Sequence, residues 1–229
     1  MDIIIDVIIP AYNEQYSISK VIGDINKNLV REIMVVDNNS TDFTGRNARL
    51  SGATVVQEYK QGYGAACLKG IEYIKSKTRS PDIVVFLDAD YSDHPDQMEL
   101  LVNPIIHDGF DLVIGARSPL NREDGSMTPQ QIFGNRLAVT LLRWLYGAHF
   151  TDLGPFRAIK WHRLLSLNMI DQDYGWTVEM QIKAVKQKLK YTEVGINYRC
   201  RTGVSKISGT LKGTVMAGYK IITTIFKYA

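Results

Sequence analysis

The sequence predicts a three-layer α/β/α fold around a mostly parallel central sheet, and two observations support that prediction. Short runs rich in β-branched residues recur along the first half of the chain. Segments of helical length, with apolar residues at helical spacing, separate those runs. A chain of 229 residues is long enough for one sizeable core and short for two. We therefore expect one domain over residues 1–213 and a terminal helix over residues 214–229, which either belongs to that domain or contacts a membrane surface.

The first half of the chain alternates between strand-like and helix-like segments. The predicted strands are Ile3–Ile9, Glu32–Asp37, Thr54–Gln57, Ile83–Asp88 and Asp111–Ile114. The predicted crossover helices are Gln15–Asn28, Thr44–Leu50, Tyr63–Lys75 and Pro95–His107. Such alternation is typical of βαβ units, whose strands run parallel. Because ligands of these sheets bind beyond the carboxyl ends of the strands, the residues after each run are the candidates for function.

The second half of the chain does not continue the regular alternation of strands and helices. Residues Ser118–Thr128 are polar, with Pro and Gly among them, and predict a long exposed loop that acts as a mobile lid. Beyond it we predict helices over Phe133–Tyr146 and Trp176–Lys188 and a strand over Tyr191–Tyr198. The final stretch, Thr214–Ala229, places apolar residues on one helical face, which either packs on the body or lies on a membrane.

The composition excludes several classes of protein. With 45% hydrophobic and 22% charged residues, the chain is neither disordered nor a multispan membrane protein. A net charge of +3 is too mild to indicate nucleic-acid binding. Cys67 and Cys200 lack metal-ligand spacing and predict idle thiols in a reducing compartment, which we take to be the cytoplasm or the cytoplasmic face of a membrane. No apolar run is long enough to cross a bilayer.

Two carboxylates stand at the end of one predicted strand, in Asp88-Ala89-Asp90. Mg²⁺ and Mn²⁺ typically take one or two protein carboxylates and complete their ligand shell with diphosphate oxygens and water. The pair therefore favours a divalent cation that stabilises a departing nucleotide. Alternatively, an aspartate at a strand end caps a helix or closes a turn.

Further polar groups follow the first three strands. Tyr12 and the backbone near Pro10 are placed to frame a base and ribose, and Asp37 to accept a hydrogen bond from the base. Gly62 and Gly64 permit backbone to approach a sugar or diphosphate, although a tight strand-to-helix turn explains these glycines equally well.

Six ordered motifs together resemble the family 2 glycosyltransferases, most closely the branch of the dolichyl-phosphate mannose synthases and other polyprenyl-phosphate enzymes. The motifs are Pro10-Ala11-Tyr12-Asn13-Glu14, Val36-Asp37-Asn38-Asn39-Ser40-Thr41-Asp42, Gly62-Tyr63-Gly64, Leu87-Asp88-Ala89-Asp90, Gly115-Ala116-Arg117 and Arg201-Thr202-Gly203-Val204-Ser205-Lys206. The resemblance implies a GT-A fold, a UDP- or GDP-sugar donor, Mg²⁺ or Mn²⁺ on Asp88 and Asp90, and inversion at the anomeric carbon. A sugar-phosphate nucleotidyltransferase is disfavoured, since its first strand would lead into a Gly-rich basic loop. A donor-binding subunit that works only with a membrane partner stays open.

The same resemblance implies roles for individual residues. The expected donor-binding set is Pro10, Tyr12, Glu14, Asp37, Asn39, Gly62, Gly64, Asp88, Ala89, Arg201, Ser205 and Lys206. Arg117 resembles the arginine that binds an acceptor phosphate. Its planar guanidinium group can donate two hydrogen bonds to phosphate oxygens.

The acceptor side is expected to be lined by Thr151–Arg157 and Tyr174–Glu179. A hydroxyl acceptor needs a base, for which Asp152 and Glu179 are the candidates, whereas a lipid phosphate is already anionic and needs none. The turn Leu153-Gly154-Pro155 departs from the Gly-Gly type expected in polyprenyl-phosphate enzymes, so both acceptors stay open.

Overall fold

The computed structural model describes residues 3–203 and 211–229 and shows a seven-stranded sheet between two layers of helices. The strands are β1 (Ile5–Ala11), β2 (Glu32–Asp37), β3 (Thr54–Gln57), β4 (Ile83–Phe86), β5 (Leu112–Ala116), β6 (Arg157–Lys160) and β7 (Tyr191–Gly195). The helices are α1 (Ile18–Asp24), α2 (Thr44–Leu50), α3 (Tyr63–Lys75), α4 (Met98–His107, preceded by a 3₁₀ turn over Pro95–Gln97), α5 (Pro129–Tyr146), α6 (Trp161–Leu167), α7 (Trp176–Lys186) and α8 (Leu211–Lys227). The predicted α/β fold with a mostly parallel sheet is confirmed.

The sheet has the order β3-β2-β1-β4-β6-β5-β7, and every neighbouring pair is parallel except the two that involve β6.

The five strands predicted in the first half are all present, with ends shifted by a few residues. Sequence analysis missed β6 and the helix α6 that follows it. Because β6 has only four residues and follows directly on a Gly-Pro turn, its apolar pattern is too short to reveal a strand.

The core consists of two apolar clusters, one on each face of the sheet. One cluster packs α3, α5, α6, α7 and α8 on the sheet, and the other packs α1, α2 and α4 on the opposite face. Residues of β1 alternate between the clusters: Ile8 belongs to the first, and Val7 and Ile9 to the second. This two-sided burial explains why the strands are continuous apolar runs.

The terminal helix is attached to the body by its carboxyl end. Ile225 is buried, and its carbonyl accepts a hydrogen bond from the hydroxyl of Tyr146 on α5. The hydroxyl of Tyr228 donates to Glu179 on α7 at 2.7 Å. The helix therefore packs on the body, as one of the two alternatives from the sequence requires. Within the described residues, no helix is long and apolar enough to cross a membrane.

Candidate active site

A cavity of about 360 Å³ opens where the carboxyl ends of β1, β2 and β4 meet. It is lined by Pro10, Ala11, Tyr12, Glu14, Asn38, Gln61, Gly62, Tyr63, Ala66, Asp88, Ala89, Asp90, Tyr174 and Arg201. Parallel strands bring their carboxyl ends to one edge, and this is the position that the sequence predicts for the site. Seven of the predicted donor-binding residues line the cavity.

The pair Asp88 and Asp90 forms the acidic wall of the cavity. Burial, followed by the negative charge of Asp90, raises the pKa of Asp88 to about 7. The Oδ1 atom of Asp88 is buried and has no hydrogen-bond partner. A buried carboxylate oxygen without a donor is suited to a hard cation, because an unpaired charge is otherwise costly in this position.

A third aspartate, Asp93, stands behind that pair and was missed by sequence analysis. It is almost fully buried, and its carboxylate accepts a hydrogen bond from the backbone N–H of Asp88 at 3.3 Å. Burial and the charges of Asp88 and Asp90 raise the pKa of Asp93 well above its usual value. Its position five residues after Asp88, on the loop that leaves the same strand, is the sequence feature that points to it.

Asp90 is held by the loop that carries it and by Arg201. Its Oδ1 accepts hydrogen bonds from the backbone and the hydroxyl of Ser92, and its Oδ2 lies 3.2 Å from Arg201. Arg201 also reaches Glu14 at 2.6 Å. The guanidinium of Arg201 therefore connects carboxylates from the first and fourth strands across the cavity.

Arg199 holds the segment before Arg201 against the Asp90 loop. Its guanidinium donates to the carbonyls of Tyr91 at 2.7 Å and Asp93 at 3.0 Å and stacks on the Tyr91 ring. Of the predicted donor-binding residues Arg201, Ser205 and Lys206, Arg201 lines the cavity. Ser205 and Lys206 lie outside the described residues.

Several predicted donor-binding residues do not line the cavity. Asp37 is buried beside it and accepts a hydrogen bond from the backbone of Ser40 at 3.0 Å, while the neighbouring Asn38 faces the cavity. Asn39 is exposed. Side chains alternate between faces near a strand end, so the sequence motif alone does not determine which of two neighbours faces a ligand.

The two glycines at the start of α3 are explained by packing. A Cβ on Gly64 would lie 2.2 Å from the carbonyl oxygen of Asp171, and a Cβ on Gly62 would lie 2.1 Å from that of Gln172. The N–H of Ala65 donates to the same Gln172 carbonyl at 2.9 Å. The glycines therefore let segment 171–172 approach α3, and that segment leads to Tyr174 in the cavity wall.

Asp152, one of the two candidate bases, is bound to Arg117. The guanidinium donates to both carboxylate oxygens, at 2.8 and 2.6 Å, and the backbone N–H of Arg117 donates to one of them at 2.8 Å. Burial alone would raise the pKa of Asp152, but the charge and hydrogen bonds of Arg117 outweigh burial and lower it. A carboxylate held in this way is a poor base, which disfavours Asp152 in that role.

Glu179, the other candidate base, is completely buried and does not line the cavity. Its carboxylate accepts hydrogen bonds from the backbone of Asp171 at 2.8 Å and from the hydroxyl of Tyr228 at 2.7 Å, and it pairs with Lys183 at 2.6 Å. These contacts connect α7 with the 170–175 segment and with the end of the chain. Glu179 therefore positions the cavity wall, and its burial disfavours it as a base.

The comparisons with known proteins agree with this geometry. The family model "Glycosyl transferase family 2" matches residues 6–166. The chain belongs to this family. The match includes the Asp88–Asp90 pair and all strands of the sheet except β7.

Relatives of this glycosyltransferase cover nearly its whole length. An uncharacterized glycosyltransferase of Mycobacterium tuberculosis is 31% identical, over 93% of this chain and 94% of its own. The UDP-N-acetylglucosamine–dolichyl-phosphate N-acetylglucosaminyltransferase of Methanococcus voltae is 30% identical, over 96% of this chain and 94% of its own. The resemblance to the polyprenyl-phosphate branch of the family is confirmed.

Among solved structures, the chain resembles the glucosyl-3-phosphoglycerate synthase of M. tuberculosis in complex with Mn²⁺, UDP-glucose and phosphoglyceric acid. The TM-score is 0.79 at 27% identity, and the match covers 98% of this chain and 79% of the other. The predicted GT-A fold is thereby confirmed.

Proposed function

We propose that this glycosyltransferase moves a sugar from a nucleotide-diphosphate donor to a polyprenyl or dolichyl phosphate, with inversion at the anomeric carbon. The observation that carries the proposal is the cavity in which Asp88, Asp90, Glu14 and Arg201 meet at the carboxyl edge of the sheet. The confirmed family supplies the reaction class, and the named relative that acts on dolichyl phosphate supports the acceptor.

The donor is a UDP- or GDP-sugar. We favour UDP because the relative from M. voltae is named for UDP-N-acetylglucosamine and the similar solved structure contains UDP-glucose. In this proposal Pro10, Tyr12 and Asn38 frame the nucleoside. Arg201 faces the diphosphate, with Ser205 and Lys206 as further predicted contacts. Asp37, Asn39 and Gly64 do not line the cavity.

Asp88 and Asp90 are proposed to hold a Mg²⁺ or Mn²⁺ ion, which would act as a Lewis acid on the diphosphate leaving group. The buried, unpartnered Oδ1 of Asp88 supports that role. In the part of the chain that the structure describes, no cluster of three or more His, Cys, Asp or Glu side chains is arranged to hold a metal by itself. The proposal therefore requires the donor diphosphate to supply ligands, as is usual for Mg²⁺.

The proposed acceptor is a phosphate because neither of the two candidate bases is available to take a proton. Asp152 is neutralised by Arg117, and Glu179 is buried away from the cavity. A phosphate oxygen is already anionic and attacks without a strong base, which favours a lipid phosphate over a hydroxyl acceptor. Two nitrogens of Arg117 are committed to Asp152, so we propose that the third, Nη1, faces the acceptor phosphate.

Location follows from the acceptor. A lipid phosphate lies in a membrane, so we propose that the enzyme works at the cytoplasmic face of a membrane, alone or with a membrane partner. A soluble hydroxyl acceptor and a non-catalytic donor-binding subunit are the alternatives that the experiment below separates.

The test is incubation of the pure protein with UDP- or GDP-sugars, Mn²⁺, and either dolichyl phosphate or hydroxyl acceptors. Release of nucleoside diphosphate only with dolichyl phosphate supports the proposal. Release with hydroxyl acceptors alone, release of pyrophosphate, or no release would each contradict it.

The variant Asp90→Ala should lower turnover at least about a hundredfold, because the cation would lose one of its two protein ligands. The matched control is Asp96→Ala, an exposed aspartate near the same loop, which should keep wild-type turnover. Near-normal turnover of Asp90→Ala would refute the metal role.

A further inference from the structure

Tyr198, which follows β7, is a buried aromatic residue that does not line the cavity. The Cζ atom of Arg117 lies over its ring, 5.1 Å from the ring centroid. Arginine is attracted to the negative face of an aromatic ring at this distance, and the attraction is stronger where water is excluded. The side chain of Arg117 is only 12% exposed, so the contact is largely shielded from water.

The backbone of Tyr198 is fixed by two loops of the site. Its N–H donates to the carbonyl of Asn121 at 2.9 Å, and its carbonyl accepts a hydrogen bond from the N–H of Glu123 at 2.7 Å. Both partners belong to the loop that leaves β5 after Arg117. Tyr198 also forms a β-bridge with Asp93, on the loop that leaves β4. These contacts hold the ring in place without any contribution from the guanidinium.

The guanidinium of Arg117 is thereby constrained in two directions. Asp152 accepts hydrogen bonds from Nε at 2.8 Å and from Nη2 at 2.6 Å, in the guanidinium plane. Tyr198 covers one face of that plane. A planar group that is held along one edge and covered on one face presents its remaining edge, which carries Nη1, to a ligand.

A second carboxylate competes with Asp152 for Arg117. Asp93 is almost fully buried, and its Oδ1 has no hydrogen-bond partner among the described residues. Burial, followed by the charges of the metal-binding pair, raises the pKa of Asp93, and the charge of Arg117 opposes that rise. An arginine that turned toward Asp93 would leave the acceptor side and bring its positive charge to the loop of the metal-binding aspartates.

We infer that Tyr198 is a positioning residue, which holds Arg117 toward the acceptor phosphate and away from Asp93. The ring attracts one face of the guanidinium, and Asp152 fixes one edge. The inference rests on the proposed function for the identity of the acceptor, whereas the contact between ring and arginine does not depend on it. Tyr198 thus acts on the reaction through Arg117 and touches neither substrate.

Steady-state kinetics with dolichyl phosphate test this role. Tyr198→Leu removes the ring and should raise the KM for dolichyl phosphate at least about tenfold, with the KM for the donor changed by less than about twofold. Tyr198→Phe keeps the ring and should retain both wild-type KM values. The matched control is Phe110→Leu, before the other end of β5, where the Nζ of Lys190 lies 4.6 Å from the ring centroid. This control should leave both KM values unchanged.

A trifluorinated phenylalanine in place of Tyr198 separates the charge of the ring from its shape. Fluorine removes the negative charge of the ring face and changes the volume little. The KM for dolichyl phosphate should therefore rise above that of Tyr198→Phe and approach that of Tyr198→Leu. Circular dichroism and thermal unfolding would establish that each variant is folded, and the fluorinated protein provides the test if Tyr198→Leu is not.

The side-chain Nε–H of Arg117 reports on the same contact without any acceptor. In protein that contains isotope-labelled arginine, its NMR signal is the one that Arg117→Lys removes. Exchange of this proton with water should be at least about fivefold faster in Tyr198→Leu than in wild type, because the ring no longer covers the guanidinium. In Tyr198→Phe the exchange should be that of wild type.

Three results would overturn the inference. They are equal acceptor KM values for the Leu and Phe variants, unchanged exchange of the Arg117 proton in Tyr198→Leu, and an equal rise of both KM values, which indicates a general loss of structure. If wild-type protein transfers no sugar to dolichyl phosphate, the proposed function fails, and the exchange measurement alone then decides whether Tyr198 positions Arg117.

Discussion

At the scale of single residues, the site combines buried carboxylates, whose ionised form is destabilised by burial, with an arginine whose positive charge stabilises one of them. Asp88 and Asp93 are buried carboxylates with raised pKa values, and Arg201 is the nearest cation to Asp90 in the cavity wall. Such arrangements are less stable than a neutral core and are retained where binding or catalysis requires them. The acidic pair is therefore expected to reduce stability until a cation and donor are bound.

The variant Asp88→Asn tests that expectation through pH. The folded-state pKa of about 7 lies above the ordinary value of 3.8, so wild-type stability falls as pH rises from 3.8 to 7. With a chelator present, the variant should be more stable than wild type by about 2 kcal/mol near pH 8, half of the full conversion because Asp88 interacts with a second buried carboxylate, Asp93, whose pKa is also raised. Urea unfolding should show that gain disappearing near pH 4. A gain that does not depend on pH would argue against a buried charge as its cause.

A glycine pair tests the packing beside the cavity. Gly64→Ala should destabilise the protein by about 1–3 kcal/mol, because its Cβ would meet backbone at 2.2 Å. Gly134→Ala on α5, where nothing lies within 4 Å of the added Cβ, should stabilise by about 0.5–1 kcal/mol. Urea unfolding measures both, and equal effects of the two substitutions would show that the close approach of segment 171–172 is not needed.

At the scale of secondary-structure elements, the wall of the cavity depends on contacts between segments distant in sequence. The 170–175 segment is held by α3 through the two glycines, by α7 through Glu179 and by α8 through Lys220. Arg157 on β6 is fully buried and donates to the carbonyls of Leu153 and Thr177. The segments around Leu153 and Tyr174 are therefore held mainly by positioning contacts.

The variant Glu179→Gln separates positioning from catalysis. It leaves Lys183 without its carboxylate and weakens the hold on segment 170–171, so the free energy of unfolding should fall by about 2–4 kcal/mol. Tyr228→Phe, which removes one hydrogen bond to the same carboxylate, should cost about 1 kcal/mol. Chemical unfolding and turnover of the folded fraction would be measured together. A loss of kcat of about a hundredfold or more at wild-type stability would restore Glu179 as a base.

At the scale of the whole molecule, one sheet joins the half that carries the cavity to the half that carries β5, β6 and β7. The parallel strands β1 to β4 carry the cavity, and the antiparallel β6 joins them to β5 and β7. The last described residues before the gap, near Arg201, return to the fourth strand and contact Asp90 and Glu14. Binding of a donor in this cavity should therefore stabilise the whole fold.

Thermal unfolding tests that coupling. With Mn²⁺ and UDP at about a hundred times their dissociation constant, the fold should gain about 2.7 kcal/mol, which raises Tm by about 5–10 °C for a chain of this size. Mn²⁺ alone and UDP alone should give smaller shifts, since each supplies ligands to the other. Asp90→Asn should lose the combined shift, and a full shift with UDP and a chelator would contradict the metal role.

Much of this architecture follows from the sequence alone. The apolar runs of β1 to β5 and the intervening helices follow from local periodicity, because burial on both faces of a parallel sheet requires continuous apolar strands. The edge of the sheet at which Asp88, Asp90 and Tyr12 meet follows from the same rule. These are properties of short segments, which the order of residues specifies.

Only the tertiary structure decided which polar groups are free to act. Asp152 and Glu179 have the residue type of a base, but the first is bound by Arg117, 35 residues away, and the second by Tyr228, 49 residues away. Asn38 faces the cavity and its neighbour Asp37 does not, and Asp93 supports Asp88 from behind. Local sequence pattern specifies strands and strand ends. The partner of a charged side chain depends on long-range packing, and that partner determines whether the charge is available for chemistry.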